Sequence, residues 1–339
     1  MNFWDGKKVL VTGGAGFIGS HVIEELLRRS PTVRVTVADD FSSGRRANLR
    51  SISRQIRMMK LDLLQPQACL KACRGQELVL HLAARVAGIA YNRAHPATMF
   101  RENMLLGCHL LEAARQAGVS RVLMASTACV YPRGATVPTP EREGFLGQPE
   151  PTNAGYGWAK RMAEFLAEAY ASEFGLDITI VRPYNAYGPR DHFGREDSHV
   201  IAALMARVLR GDDPVLVWGD GRVTRSFLYV EDLARGIVDA AERGRPEPLN
   251  LGADEEVTVA ELAAMILRAA GSKARLRFDP SQPSGQPRRS CDATRARRLL
   301  GFKARVRLHE GLQRTVAWYR QHLGTKTMKE ARVIRARQR

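Results

Sequence analysis

Tyr156 and Lys160 lie four residues apart in the run Tyr156-Gly157-Trp158-Ala159-Lys160. On a helix, residues at i and i+4 share a face. A tyrosine hydroxyl is a weak acid and serves as a base near neutrality only where a cation holds its phenolate. A lysine one turn away can supply that cation. Upstream, Arg121 to Ser126 reads as a strand, so Ser126 and Thr127 place two hydroxyls at its end. Near the start, Gly13, Gly16 and Gly19 form a GxxGxxG turn between the apolar run Val9–Thr12 and a helix from Ser20 to Arg29. Gly13 permits the turn, Gly16 lets backbone N–H groups approach a pyrophosphate, and Gly19 lets the helix pack on the strand. Phe17 and Ile18 belong to the same turn. The second strand, Val33 to Ala38, ends in Asp39-Asp40, and Asp39 follows Gly19 by 20 residues. A carboxylate at that spacing accepts bonds from an adenosine ribose and repels a 2′-phosphate, so NAD is the expected cofactor.

These residues require a scaffold of strand ends. Further strands are expected at Met58–Leu61, Leu78–Leu82 and Ile178–Arg182, separated by helices at Gln67–Cys73, Ala97–Gln116 and Tyr156–Phe174. Such alternation predicts an α/β fold with a doubly wound parallel (Rossmann) sheet that binds ligands at the strands' carboxyl ends. Asp62-Leu63 and Leu82-Ala83-Ala84 fall at such ends and join the cofactor set. After residue 185 the alternation loosens. Ser198–Arg210, Thr258–Ala270, Ala293–Leu300 and Leu308–His322 read as helices, and Val215–Trp218 and Leu276–Phe278 as strands. The expected layout is a cofactor domain over 1–184, rejoined by 225–252. A smaller discontinuous substrate lobe covers 185–224 and 253–323, and a basic tail covers 324–339.

With 339 residues, 45% hydrophobic and 26% charged, the chain is long enough for two globular units and too apolar for a disordered one. It has no uninterrupted apolar stretch of membrane length, and Met1–Lys8 lacks the pattern of a secretion signal. Cys69, Cys73, Cys108, Cys129 and Cys291 are odd in number and widely spaced, with no histidine pair at metal-ligand spacing. They read as free thiols in a cytoplasmic protein, and no metal is expected. The net charge of +17 raises nucleic acid as a partner. Yet the charge is spread, no aromatic residues interleave it, and its densest segment is the tail Lys326–Arg339.

Taken together, TGGAGFIGSH at 12–21, HLAA at 81–84, YGWAK at 156–160, RPYNAYGP at 182–189 and WGDGRVTRSFLYVEDL at 218–233 resemble the extended short-chain dehydrogenase/reductase family of nucleotide-sugar epimerases and reductases. The likeness covers nearly the whole chain. ASTACVYP at 125–132 resembles the segment of GDP-mannose 3,5-epimerases and GDP-L-fucose synthases that carries a catalytic Ser or Thr and, two residues on, a Cys. These are Thr127 and Cys129 here. VAGIAYN at 86–92, with Gly88, is similar to the stretch lining the sugar pocket. SHVIAAL at 198–204 is similar to the segment bearing a catalytic His, here His199. PSGQPRRSCDATRA at 283–296 resembles a C-terminal substrate loop. Asp39 departs from the NADPH-using synthases and matches NAD-retaining epimerases. Ala128-Cys129 replaces the acidic pair of 4,6-dehydratases.

The implied chemistry is oxidation at C4 with Tyr156 taking the hydroxyl proton. The C–H bonds at C3 and C5, now beside a ketone, then become acidic. Thr127 and Tyr156 would steady the enolate oxygen, and Cys129 and His199 would serve as base and acid on opposite faces. Asn185, Arg225 and Arg288 are candidate diphosphate contacts, since a guanidinium offers a two-pronged donor. The expected substrate is a nucleotide sugar, with a GDP-sugar favoured, and the expected assembly is a homodimer through the helices at 97–116 and 156–174. The alternatives are a UDP-sugar 4-epimerase, a 4-keto-6-deoxy-sugar epimerase/reductase, and a non-catalytic NAD-sensing or RNA-binding scaffold.

Overall fold

The computed structural model describes residues 2–194, 198–244, 246–282 and 285–322. The expected basic tail lies outside them. In chain order the first half forms β1 (Lys8–Thr12), α1 (Phe17–Arg29), β2 (Arg34–Asp39), β3 (Ile56–Lys60), α2 (Pro66–Cys73), β4 (Leu78–His81), α3 (Ile89–Ala94), α4 (Pro96–Gln116), β5 (Arg121–Ala125), α5 (Ala154–Phe174) and β6 (Asp177–Pro183). The second half adds β7 (Ala186–Tyr187), α6 (Val200–Arg210), β8 (Val215–Trp218), β9 (Thr224–Ser226), β10 (Leu228–Tyr229), α7 (Val230–Arg243) and β11 (Leu249–Leu251). It ends with β12 (Glu256–Thr258), α8 (Val259–Ala270), β13 (Leu276–Asp279), β14 (Arg288–Arg289), α9 (Thr294–Leu300) and α10 (Leu308–His322).

Seven strands form one parallel sheet in the order β11-β6-β5-β4-β1-β2-β3. Both faces are covered, which is why strands such as Val9-Leu10-Val11 run apolar without alternation. One face packs Val22, Ile23 and Leu26 of α1 with Leu233, Ile237 and Val238 of α7. The other packs α2, α4 and α5 through Cys69, Cys73, Leu110, Leu111, Ala163 and Ala167. Chain order reverses between β1 and β4, and the crevice at that switch point is where such sheets bind ligands. A separate core joins α6, β8, α8 and α10 through Ile201, Met205, Val215, Leu262, Ile266, Leu312 and Val316.

The second half differs in detail from its sequence reading. The segment from Phe227 does not run straight back to the main sheet. β9 pairs with β12 and β14, and β10 pairs with β7. Packing on the large sheet resumes with α7, whose apolar stripe meets α1. The two- and three-residue strands carry no periodicity for a sequence reading to detect. Helix α6 starts at Val200 rather than Ser198, so His199 is its N-cap residue.

Candidate active site

The cofactor end is built on the β1–α1 turn. Gly13 has φ +65°, and a Cβ there would lie 2.9 Å from the Cα and N of Ala83, so only glycine fits between the two strand ends. Gly16 is the N-cap of α1 and offers no capping side chain, which leaves the first N–H groups to meet an anion. Phe17 and Ile18 open that helix. Thr12 Oγ1 lies 2.8 Å from His81 Nδ1 and accepts from the amides of Leu82 (3.1 Å) and Ala83 (3.2 Å). Its single proton therefore goes to Nδ1, and His81 is neutral. Burial, then the charge of Lys160, holds His81 down at about 3. Ala84 follows, half-buried, on the same strand end.

Asp39 is buried at the end of β2. Its Oδ2 accepts from the amide of Ala15 (2.9 Å) and its Oδ1 from that of Phe41 (2.8 Å). Burial pushes its carboxyl up, and the two amides oppose that. Each oxygen keeps a lone-pair position, enough for the two hydroxyls of a ribose. An open cleft is lined by Gly13, Asp39, Asp62, Leu63 and Ala83, together with Arg85 from the β4–α3 loop. The glycine cradle, the bare helix N-terminus and the spare acceptors of Asp39 fit an adenine dinucleotide.

The chemical end is built on α5. Lys160, 6% exposed, donates to the carbonyl of Ala125 at 2.9 Å, and its Nζ lies 5.8 Å from the centre of the Tyr156 ring. Burial lowers Lys160 to about 8, while Glu164 one turn on opposes the shift. The Thr127 side chain stands beside the Tyr156 hydroxyl. Burial raises Tyr156 well above the ordinary range, neighbouring Cys129 adds to this, and the polar Thr127 side chain opposes it. Thr127 Oγ1 also accepts from the Cys129 amide at 3.2 Å. A Cβ at Gly157 would fall 2.6 Å from the Cys129 carbonyl, so a glycine next to the tyrosine lets α5 approach that turn. Thr127, Cys129, Tyr156 and Lys160 thus form one cluster. His199 stands on another element, at the head of α6, with Nδ1 3.6 Å from Asp191 Oδ1.

The substrate candidates fare unequally. Arg225 donates to the carbonyl of Thr224. Burial, then neighbouring Arg289, lowers it to about 10, with Glu150 opposing. Asn185, at φ +33°, donates to the carbonyl of Ser226 at 2.8 Å and ties the β6–β7 turn to β9. Gly88 is the N-cap of α3 and receives a bond from Asn92. Arg288 departs from its expected place. It is exposed and held by Glu256 at 2.8 and 2.9 Å, because neighbours on a strand point to opposite sides. Arg289 takes the inward position, with its Nη2 3.5 Å from Cys129 Sγ. Burial works against the Arg289 charge, but the neighbouring Cys129 sulfur, more than any other group, keeps it raised.

Sequence reasoning missed Arg289 and also Glu150. Glu150 is 3% exposed, and its Oε2 has no partner among the described residues. Both sit in stretches without periodicity. A buried polar layer beneath the cluster was missed as well. Ser126 donates to Glu164, which receives Arg182 at 2.9 and 2.5 Å. Arg182 also donates to Tyr131, which donates to Asn250 at 2.6 Å.

Residues 9–252 match the model of the NAD dependent epimerase/dehydratase family. The chain belongs to that family. It is 32% identical over 323 residues to a dTDP-4-dehydro-6-deoxy-D-allose reductase of a Streptomyces species, spanning 94% of this chain and 98% of the relative. It is also 32% identical over 329 residues to the GDP-L-fucose synthase of Escherichia coli K12, spanning 92% and 96%. In structure it is similar to a UDP-glucose 4-epimerase of Thermotoga maritima with UDP-glucose, at a TM-score of 0.85 and 32% identity, covering 93% and 99% of the two chains. Membership makes the chain an NAD-dependent enzyme of nucleotide sugars. Among the described residues no helix is long and apolar enough to cross a membrane.

Proposed function

We propose that this enzyme inverts C3, C5 or both of a nucleotide sugar, preferably a GDP-sugar, through a transient 4-keto sugar. The observation that carries the reading is the gathering of Thr127, Cys129 and Tyr156 at one turn, where Thr127 Oγ1 accepts from the Cys129 amide and its side chain stands beside the Tyr156 hydroxyl. The β1–α1 turn with Asp39 would hold NAD, which supplies the acceptor and donor of hydride at C4. Tyr156 takes the proton of the C4 hydroxyl, and the Lys160 cation stabilises its phenolate. Once C4 is a carbonyl, Thr127 and Tyr156 donate to the oxygen as the neighbouring C–H is lost. Cys129 removes that proton, and His199 delivers one to the opposite face. Arg225 and Arg289 make the pocket cationic, which suits a diphosphate. Residues 1–184 with α7 and β11 would hold the cofactor, and the remainder the sugar.

A 4-epimerase of a UDP-sugar needs Tyr156, Lys160 and Thr127 but no acid/base pair at C3 and C5. Turnover in heavy water separates the two. The 3,5-inversion predicts deuterium at C3 or C5, and Cys129→Ser is expected to lower its uptake about a hundred- to ten-thousand-fold, the usual value of a positioned acid or base. Interconversion at C4 without deuterium, unchanged in Cys129→Ser, would establish the 4-epimerase instead.

A further inference from the structure

The acid side of the site carries a feature that the proposed chemistry has not used. His199 is the N-cap of α6 and contributes no side-chain cap. The positive end of a helix disfavours an imidazolium, which is the form a proton donor needs. Asp191 lies opposite. It is 6% exposed, its Oδ1 accepts from the His192 amide at 2.7 Å and stands 3.6 Å from His199 Nδ1, and its Oδ2 is buried without a partner among the described residues.

The turn bearing Asp191 is clamped to the cofactor helix. His21 of α1 bonds the Pro189 carbonyl at 3.1 Å, and Arg190 donates to Glu24 at 2.5 Å. His192 reaches Ser43 at 3.3 Å. On the far side, the Ser198 hydroxyl donates back to the His192 carbonyl at 2.5 Å and brings the head of α6 against the turn.

We propose that Asp191 is a positioning residue for His199. Its carboxylate faces the Nδ1 side of the ring as an ion-pair partner, keeps the ring charged against the helix dipole, and leaves Nε2 as the nitrogen that gives up the proton. In that step the Nε2–H bond breaks, its electron pair stays on nitrogen, and a C–H bond forms on the sugar. The role rests on the reading of His199 as the acid.

The charged and titratable groups about this pair are Asp191, Arg190 and His192 of the turn, and His21 and Glu24 of α1. Arg195, Glu196 and Asp197 precede His199 in the chain. Burial, then Arg190, holds His21 at about 4, so it stays neutral while His199 titrates. The test follows the His199 ring protons of the full-length enzyme by NMR against pH. Asp191→Asn is expected to weaken proton binding by His199 about tenfold or more. It should also move the alkaline limb of the epimerisation profile to lower pH. Asp191→Glu should restore much of both and guards against a misfolded asparagine variant. An unmoved His199 titration in Asp191→Asn overturns the pairing, as does a shift seen only with Glu196→Gln or Asp197→Asn. If the titration moves but the activity profile does not, the pairing stands and the reading of His199 as the acid falls.

Discussion

Arg288 and Arg289 are adjacent and alike, yet only one faces Cys129. Arg289→Met is expected to lower kcat/KM about a hundredfold, the value of a charge-assisted hydrogen bond of about 3 kcal/mol. Arg288→Met should stay within about threefold, because an exposed pair with Glu256 contributes at most about 1 kcal/mol. Steady-state kinetics of the two variants checks this. Lys160 shows the cost of a buried cation. Its folded value of about 8 lies below the 10.5 of a free lysine. The unfolded chain therefore keeps a proton that the folded one has shed across that window, and stability rises with pH from about 8 to 10.5. Below it the buried charge costs about 3 kcal/mol, partly offset by the bond to Ala125. Lys160→Met is expected to be inactive, to melt a few degrees higher at pH 7, and to lose that alkaline rise. Thermal melts across pH 7 to 10.5 test it. At this scale the sequence was legible where backbone chemistry dictates residue type, as at Gly13 and Asp39. It was silent where a two-residue strand chooses a side.

Elements are joined at the site by charge as well as by apolar packing. Glu164 on α5 receives Arg182 from β6 and Ser126 from the end of β5, all buried. This fixes the helix bearing Tyr156 and Lys160 against the strand end bearing Thr127. Removing one partner of a buried pair leaves an uncompensated charge and costs about 3–5 kcal/mol. Glu164→Gln should lower the urea midpoint accordingly, with kcat falling more than KM rises as the catalytic helix loses register. The helices and most of the parallel strands could be read from apolar runs and their spacing. The Glu164–Arg182 link could not, since its partners come from separate strand–helix units and neither carries a motif.

For the whole molecule, α4 and α5 expose Phe100, Leu105, Trp158, Phe165 and Phe174, with Phe165 at 60%. Leu166 and Tyr170 of α5 rest partly on the core. The remaining apolar residues suit a second copy of the chain, and we expect a homodimer through these helices. Light scattering should give twice the chain mass at micromolar concentration, and Phe165→Asp should shift it toward the monomer.

The edge strand β11 has a consequence for synthesis. Leu249 completes the sheet by pairing with Val181 of β6, and α6, β8 and α7 are translated in between. At about 5–20 residues per second, the flank of β6 stays open on the ribosome for several seconds or longer. An open apolar strand edge is a template for mispairing. The nascent chain is therefore most vulnerable to aggregation while its catalytic helix is already made and its last sheet strand is not.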